Sequence, residues 1–205
     1  MSVSGPLVYV VDDEEAVGDS IAMLLRTVGL TARVYRDPRA FLDEYRPDQA
    51  GCLLLDVRMP QLGGLEVQRE LIRRNVTLPV IFITGHGDVP MAVEAMRAGA
   101  VDFIQKPFND DELIRRVQKA LEQDAQERAL LERHEEIERR WKELTPRERE
   151  VATGIADGKA NKVVAAELGI SVRTAELHRA RILQKMGVRS IAQLVKMLLG
   201  LQGKA

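Results

Sequence analysis

Residues 53–60 read LLLDVRMP, a run of apolar side chains that leads directly into an acid. An ionised carboxylate at the end of a strand built to be buried loses its hydration at high cost. Asp56 therefore either caps a neighbouring element or performs chemistry at the edge of a sheet. The segments on both sides of this run bear on the choice.

Other short apolar runs flank this stretch, and segments with helical spacing separate them. The runs are LVYVV (7–11), TARVY (31–35), CLLLDV (52–57), PVIFIT (79–84) and VDFIQ (101–105). This alternation predicts βαβ units and a parallel sheet, and the nearly continuous apolarity of the first, third and fourth runs is typical of strands covered on both faces. Five strands and five helices predict a doubly wound, flavodoxin-like α/β domain with strand order 2-1-3-4-5.

The helical segments between the runs carry apolar residues three and four positions apart, with capping residues at their ends. One such set is Val17, Ile21, Leu24, Leu25 and Val28, closed by Gly29, and another is Leu65, Val67, Leu71 and Ile72. Asn109 and Glu112 form an N-cap and N3 pair. Asp88 is a candidate cap for a helix that starts near Val89, with Pro90 in the first turn.

Polar side chains follow four of the predicted strands at the point where each strand ends. Asp12 and Asp13 follow the first, Asp56 ends the third, Thr84 ends the fourth and Lys106 follows the fifth. Ligands of open parallel sheets bind outside the carboxyl ends of the strands, where the winding direction switches. Three converging carboxylates need a proton or a cation, and Mg²⁺ accepts a few carboxylates plus water. Together with a hydroxyl and an ammonium, these groups suit a phosphoryl group.

Composition and charge suggest two parts with different partners. Residues 1–142 hold 19 Lys and Arg against 25 Asp and Glu, whereas residues 143–205 hold 11 against 6. The basic part is a candidate for nucleic-acid binding, although a solvated surface would have the same charge. The single cysteine, Cys52, is expected to be a small core residue in a reducing compartment. Without a signal peptide or a long apolar segment, the expected location is the cytoplasm, with no membrane partner.

Residues 122–142 form a highly charged segment without Gly or Pro, so the fifth helix is expected to continue through it. Leu130, His134, Ile137, Trp141 and Leu144 follow the spacing of a short a/d seam. Two interpretations remain open at this point. The seam either rests on one domain or contacts a second copy of the chain.

The last part predicts four short helices in a helix-turn-helix arrangement. Thr145, Pro146 and Glu148 form a capping box with Pro at N1, and a helix to about Ala156 follows. KVVAAELG is a second helix closed by Gly169, and SIAQLVKMLLG is a fourth. The third helix begins after Ser171, ends at Gly187 and carries several basic residues. Its predicted core positions are Val172, Ala175, Ile182 and Met186.

Residues 7–121 resemble the receiver domain of a two-component response regulator. The resemblance rests on Asp12-Asp13, on Asp56 followed by RMPQLGG, on Thr84-Gly85 and on Lys106-Pro107. It implies that Asp56 is the phosphoacceptor and that Asp12, Asp13 and the Arg58 carbonyl hold Mg²⁺ with it. It further implies that Thr84 supplies the family's hydroxyl, that Lys106 pairs with phosphate after a cis Lys106–Pro107 bond, and that Phe103 is the switch aromatic.

Residues 143–205 resemble the LuxR-type DNA-binding domain of the NarL/FixJ group. The matching stretches are LTPRE-REV, ADGKANK, AAELGIS, Thr174, His178 and QKMGVRS. Two residues depart from the family pattern. Ala175 stands where Val is usual, and the acid Glu176 stands where relatives often have a base-reading residue, so it either accepts from cytosine N4 or weakens the contact.

DNA contacts are expected from the third helix and from Lys162 at the start of the second. Charge and helix position indicate phosphate contacts, and the family's base-reading positions indicate base-edge contacts. The phosphate set is Lys162, Arg173, Thr174, Arg181 and Lys185, and the base-edge set is Glu176, Leu177 and Ala180.

The sequence thus predicts a receiver domain over 1–121, a helical linker over 122–142 and a DNA-binding domain over 143–205. We expect a phosphorylation-activated transcription regulator, not an enzyme, with a sensor histidine kinase, promoter DNA and RNA polymerase as partners. Dimerisation is expected through the face that carries Met91, Met96 and Ala98. Two alternatives remain, a phosphohydrolase with an Asp nucleophile and Mg²⁺, and a protein-interaction module that binds no nucleic acid.

Overall fold

A parallel sheet of five strands organises the N-terminal half of the chain. The computed structural model describes residues 5–85 and 89–202. The strands are β1 (Leu7–Val11), β2 (Thr31–Tyr35), β3 (Gly51–Asp56), β4 (Val80–Thr84) and β5 (Asp102–Gln105). Their order is β2-β1-β3-β4-β5 and every pairing is parallel, which confirms the predicted flavodoxin-like topology.

Helices cover both faces of this sheet, as the apolar pattern of its central strands requires. They are α1 (Glu15–Thr27), α2 (Pro38–Glu44), α3 (Gly64–Arg73), α4 (Val89–Arg97) and α5 (Asp110–Lys142). Every residue of β1, β3 and β4 is buried, and two apolar clusters lie on opposite faces of the sheet. Asn109 caps α5 as predicted, because its Oδ1 accepts from the Glu112 amide. Asp88, the predicted cap of α4, lies outside the described residues.

Two of the apolar residues with helical spacing are exposed. Val28 is 41% exposed and Ile72 is 50% exposed. Val28 follows the last residue of α1, where the helical stripe has ended. Ile72 follows the buried Leu71 directly, and consecutive helical residues point in directions about 100° apart.

The start of β3 is hydrogen-bonded to a side chain of α5. The Gly51 amide donates to Asp124 Oδ2 at 2.9 Å, and a Cβ on Gly51 would overlap the Leu7 carbonyl oxygen. Next to this contact lies Cys52, which is fully buried. Burial, and to a smaller extent the charge of Asp124, raises the pKa of the Cys52 thiol to about 12. The predicted role of Cys52 as a core residue agrees with this environment.

The chain divides into two units, Met1–Glu127 and Arg128–Ala205, so that α5 contributes to both. The long helical linker is therefore confirmed, while the boundaries at 121 and 142 remain a prediction. The second unit adds α6 (Pro146–Ala156), α7 (Asn161–Glu167), α8 (Val172–Met186) and α9 (Ile191–Gln202). Within residues 5–85 and 89–202, no helix is long and apolar enough to cross a membrane.

The helix ends of the second unit follow the capping residues. Thr145 Oγ1 accepts from the Glu148 amide, and Glu148 Oε2 accepts from the Thr145 amide, which completes a capping box. Ser171 caps α8, and Gly187 ends it in the left-handed region with φ of +66°. The prediction that Val172 faces the core is wrong, because its side chain is 42% exposed at the first turn of α8.

The predicted seam of the linker helix packs within the second unit over much of its length. Ile137 and Leu144 are buried, and Trp141 packs against the same apolar cluster as Ile182 and Met186. Leu130, at the other end of the seam, is 65% exposed. The structure therefore favours the interpretation in which the seam rests on one domain.

Candidate functional site

The carboxyl ends of four strands place the predicted site residues at one edge of the sheet. Asp12 follows β1, Asp56 ends β3, Thr84 ends β4 and Lys106 follows β5. The strands run parallel with Asp56 opposite Ile83 in the register, so these ends lie side by side. Asp12, Asp56 and Thr84 are all buried, which is unusual for two carboxylates and calls for charge compensation.

Lys106 supplies that compensation by bridging two carboxylates. Its Nζ donates to Asp12 Oδ2 at 2.7 Å and to Asp56 Oδ1 at 2.9 Å. The exposed Glu14 contributes a third oxygen 3.7 Å from the same ammonium. One ammonium thus faces two buried carboxylates, and the three groups together carry a net negative charge.

The second oxygen of each carboxylate is held by the backbone that follows it. The Arg58 amide donates to Asp56 Oδ2 at 2.7 Å, and the Glu14 amide donates to Asp12 Oδ1 at 2.9 Å. Gly64 begins α3 directly behind this turn, and a Cβ on it would overlap the Asp56 carbonyl oxygen. Both carboxylates are therefore oriented by their own strand ends before any ligand binds.

The pKa values of Asp56 and Lys106 are both raised, but for different reasons. Burial raises the pKa of the Asp56 carboxyl above its ordinary value, although hydrogen bonds from Lys106 and the Arg58 amide partly oppose this and the charge of Asp12 adds to it. Burial alone would lower the pKa of Lys106, but its hydrogen bonds to Asp12 and Asp56 raise that pKa above the ordinary value. Lys106 is thus a fixed positive charge beside a carboxylate in an unfavourable environment.

Thr84 and Phe103, the predicted switch residues, lie on the neighbouring strands β4 and β5. The Thr84 side chain is buried, and the backbone carbonyl of Thr84 accepts from the Lys106 amide at 2.7 Å. Phe103 is half-buried, and its ring centroid lies 6.5 Å from that of Phe82. The Lys106–Pro107 peptide bond is cis, as the resemblance implied.

The acidic pocket fits a hard divalent cation in its donor chemistry, with one difference from the prediction. Asp12 and Asp56 offer buried carboxylate oxygens, and Mg²⁺ is held in many proteins by one or two carboxylates with water in its remaining positions. Asp13 is exposed, and the described part of the chain contains no group of three His, Cys, Asp or Glu side chains placed to hold a metal. Two of the three predicted acids are thus buried and bridged by Lys106, and a contribution of Asp13 to a metal site stays a prediction. The Arg58 amide donates to Asp56 Oδ2, and the predicted contact of the Arg58 carbonyl with the metal stays a prediction.

The second predicted site is the outer face of α8. Ala175, Ile182 and Met186 are buried, while Arg173, Glu176, Leu177, Ala180 and Arg181 are exposed. The three predicted base-edge positions lie within one turn and a half of the helix and share this exposed face. Lys162 on α7 is exposed, and Thr174 is half-buried with its Oγ1 2.8 Å from Ser171 Oγ.

Lys185 has a different environment from the other predicted phosphate contacts. Its Nζ donates to the buried Glu148 Oε2 at 2.7 Å and to the Glu143 carbonyl at 3.3 Å. The ammonium therefore neutralises an acid of the same unit, and a phosphate contact would have to compete with that pair. In this structure Lys185 holds α8 against the start of α6, and its phosphate contact stays a prediction.

With both sites described, the chain can be placed among known families. A family model described as "Response regulator receiver domain" matches residues 8–118, and one described as "Bacterial regulatory proteins, luxR family" matches residues 142–198. The chain belongs to the response regulators and joins a receiver domain to a LuxR-type DNA-binding domain. Such a combination implies a histidine kinase and DNA as partners, and receiver domains in general bind Mg²⁺ in their acidic pocket.

Individual relatives agree with this placement over nearly the full chain. Response regulator protein TodT of Pseudomonas putida is 41% identical over 96% of this chain and 86% of that protein. Transcriptional regulatory protein FixJ of Rhizobium meliloti is 44% identical over 94% of each chain. The solved structure of response regulator StyR matches with a TM-score of 0.88 at 40% identity, covering 96% of this chain and 99% of the other.

Three residues near the sites were absent from the predicted sets. Glu14 orients Asp12 through its amide, Glu148 pairs with Lys185, and Arg140 donates to the Met186 carbonyl at the end of α8. The DDEE stretch is the one sequence signal that points to Glu14. Glu148 was assigned only as a capping residue, and nothing in the local pattern indicates its second partner.

Proposed function

We propose that Asp56 accepts a phosphoryl group from a sensor histidine kinase and that the phosphorylated chain binds promoter DNA as a homodimer. The observation that carries this proposal is the Lys106 ammonium, which lies within hydrogen-bond distance of Asp12 and Asp56. Two oriented carboxylates and a fixed cation are the groups that phosphoryl transfer to an aspartate requires. The protein acts in the cytoplasm, and RNA polymerase is its partner at the promoter.

In the transfer step, an Asp56 oxygen attacks phosphorus, the bond from phosphorus to the donor nitrogen breaks, and an acyl phosphate forms. Lys106 compensates the charge of the transferred group, while the Arg58 amide holds the second oxygen of Asp56 in place. Asp56, Asp12 and Asp13 with the Arg58 carbonyl would hold Mg²⁺, which would supply further charge neutralisation when bound. Each site accepts one phosphoryl group from its donor and is regenerated only as the acyl phosphate decays.

The response to phosphorylation uses Thr84 and Phe103. A phosphoryl group adds about two negative charges and strong acceptor oxygens. Thr84 turns its hydroxyl toward them, and Phe103 rotates into the space that Thr84 leaves. This repacking changes the surface of α4 and β5, which includes Met91, Met96 and Ala98, and creates the dimer interface.

The decisive experiment is labelling with acetyl phosphate and Mg²⁺. The wild-type chain should gain one labile phosphoryl group, and Asp56→Asn should gain none. Asp43→Asn is the matched control, because Asp43 is an exposed aspartate on α2 and should leave labelling unchanged. Label that persists on Asp56→Asn would show that the acceptor has been assigned to the wrong residue.

Two further assays separate the alternative functions. Steady release of phosphate from a generic phosphomonoester would favour a phosphohydrolase, whereas a regulator should release none beyond the decay of its own acyl phosphate. Selection of duplexes from a random library should enrich one sequence with the phosphorylated chain. Failure to enrich any sequence would favour a module that contacts only proteins.

The DNA-contacting residues follow from exposure on α8 and α7. Lys162, Arg173, Thr174 and Arg181 contact phosphates, while Glu176, Leu177 and Ala180 face base edges in the major groove. Lys185 would join the phosphate set only by giving up its pair with Glu148. Two copies of α8 would then read half-sites about one helical turn apart.

A further inference from the structure

The last turn of α8 is held by a side chain from the preceding long helix. Arg140 Nη1 donates to the Met186 carbonyl at 2.8 Å, and Met186 is the last residue of α8. Arg140 Nε donates to Glu136 Oε1 at 2.6 Å, one turn earlier on α5. Two sides of the guanidinium are thus engaged, one on its own helix and one on the end of α8.

A cation at this position stabilises the C-terminus of α8 in two ways. The last carbonyls of an α-helix lack partners within the helix, and the C-terminus carries a partial negative charge. Gly187 leaves α8 in the left-handed region, and the guanidinium lies so close that a Cβ on Gly187 would overlap Arg140 Nη1. Glycine at position 187 therefore permits the left-handed turn and also leaves room for the Arg140 guanidinium.

A second contact holds the same end of α8 from another direction. Lys185 reaches the Glu143 carbonyl and the buried Glu148 carboxylate, at the junction of α5 and α6. Ile137 of α5 packs in one apolar cluster with Ile182 and Met186 of α8. The end of α8 is thus fixed by apolar packing, by an ion pair and by the Arg140 hydrogen bond.

The geometry points to Arg140 as a positioning residue for DNA recognition. Arg140 holds the C-terminal end of α8 without itself touching DNA. By fixing that end, it sets the direction in which Glu176, Leu177 and Ala180 face DNA. The inference rests on the proposed function, which assigns α8 as the reading helix. The side chain of Arg140 is 31% exposed and has both partners within its own unit, unlike an arginine that is available to a phosphate.

The neighbouring Arg139 provides a matched control. It carries the same charge and is 65% exposed. Among the described residues its ion pairs are with Glu136 on its own helix and with Glu143 just after that helix. Arg139→Gln and Arg140→Gln therefore make the same change in net charge, but only the second removes a hydrogen bond to α8. Any effect of charge alone appears equally in both variants.

The experiment measures DNA binding by the full chain after treatment with acetyl phosphate and Mg²⁺. One probe is the duplex that the wild-type chain enriches from a random library, and the other is a scrambled duplex of the same composition. Arg140→Gln should lose about fivefold in affinity for the enriched duplex, the size of one helix-terminal charge contact, and keep its affinity for the scrambled duplex. Arg139→Gln should change neither, and Arg140→Lys should recover part of the loss.

The salt dependence tests whether Arg140 contacts phosphate directly, and thermal unfolding tests whether its replacement only destabilises the protein. A phosphate contact at Arg140 would lower affinity for both duplexes and reduce the salt slope by about one unit, and this result would overturn the inference. Equal affinities of wild type and Arg140→Gln, in protein shown to be folded at the assay temperature, would also overturn it. If Arg140→Gln unfolds there, Arg140→Lys carries the test, and unchanged binding by that variant would count against positioning. A wild-type chain that enriches no sequence would instead refute the proposed function on which the inference rests.

Discussion

Replacing Lys185 by Met should destabilise the second unit through the acid that it leaves behind. Glu148 is 3% exposed and accepts hydrogen bonds from Lys185 Nζ and from the Thr145 amide. Methionine keeps the apolar stem of the lysine and removes the ammonium. The carboxylate then remains buried with one backbone donor and without a counter-charge.

The expected loss follows from the burial of the two partners. Removing one member of a fully buried ion pair costs roughly 3–5 kcal/mol. The Lys185 side chain is 35% exposed, so water screens the pair, and the Thr145 amide still solvates the acid. We therefore expect a loss of about 1–2 kcal/mol, which corresponds to a lower melting temperature by roughly 4–16 °C for a unit of this size.

Trp141 allows the measurement in the full chain. It is the single tryptophan and packs in the apolar cluster of the second unit, so its fluorescence reports the unfolding of that unit. Lys159→Met is the control, because Lys159 pairs with Glu167 at the surface and exposed pairs contribute little. A double variant, Lys185→Met with Glu148→Gln, should recover part of the loss because the unpaired charge is gone.

The effect should also depend on pH in a definite direction. Burial alone would raise the pKa of Glu148, but its hydrogen bonds from Lys185 and Thr145 lower that pKa below its ordinary value of 4.5. An acid with a lowered pKa stabilises the folded state above its unfolded pKa and ceases to do so as the pH falls through the folded one. The difference between wild type and Lys185→Met should therefore be full at pH 7 and shrink below about 4.5. Equal melting temperatures at pH 7, or a double variant no better than the single one, would refute the reasoning.

Four further outcomes are expected. Asp56→Asn should stabilise the first unit at pH 7, because burial raises the pKa of Asp56 and an acid with a raised pKa weakens the fold as the pH rises through it; an unchanged urea midpoint would contradict this. Thr84→Ala should remain monomeric in sedimentation after phosphorylation, and dimerisation as in wild type would break the proposed coupling. Glu176→Ala should change the preferred base at one position by roughly 1–3 kcal/mol in a library selection, a change that an unaltered consensus would exclude. Lys162→Ala should weaken binding to all sequences alike and reduce the salt slope by about one unit, so a sequence-selective loss would reassign it.

The sheet could be predicted closely from the sequence because its central strands are buried on both faces. The five strands begin and end within one residue of the apolar runs, and their order follows from the doubly wound pattern. The error lies at a helix end. Val172 stands at the first turn of α8, where periodicity no longer decides which way a side chain points.

The site could be predicted in position but not in its contacts. Strand ends place Asp12, Asp56 and Lys106 at one edge, yet nothing in the sequence states that one ammonium reaches both acids. The same holds for Lys185 and Glu148, which are 37 residues apart, and for Arg140 and Met186, which are 46 apart. Such pairs depend on how helices are packed, and local spacing carries no information about distances of that kind.

The burial of Cys52 has a practical consequence for experiments on this chain. The thiolate is the form that reacts with alkylating reagents, and a fully buried thiol with a pKa of about 12 provides almost none of it at neutral pH. A cysteine introduced at an exposed position, such as Ser20 on α1, would therefore be the preferred target of a maleimide dye. Fluorescent labelling at a chosen site should be possible while the native cysteine stays in place.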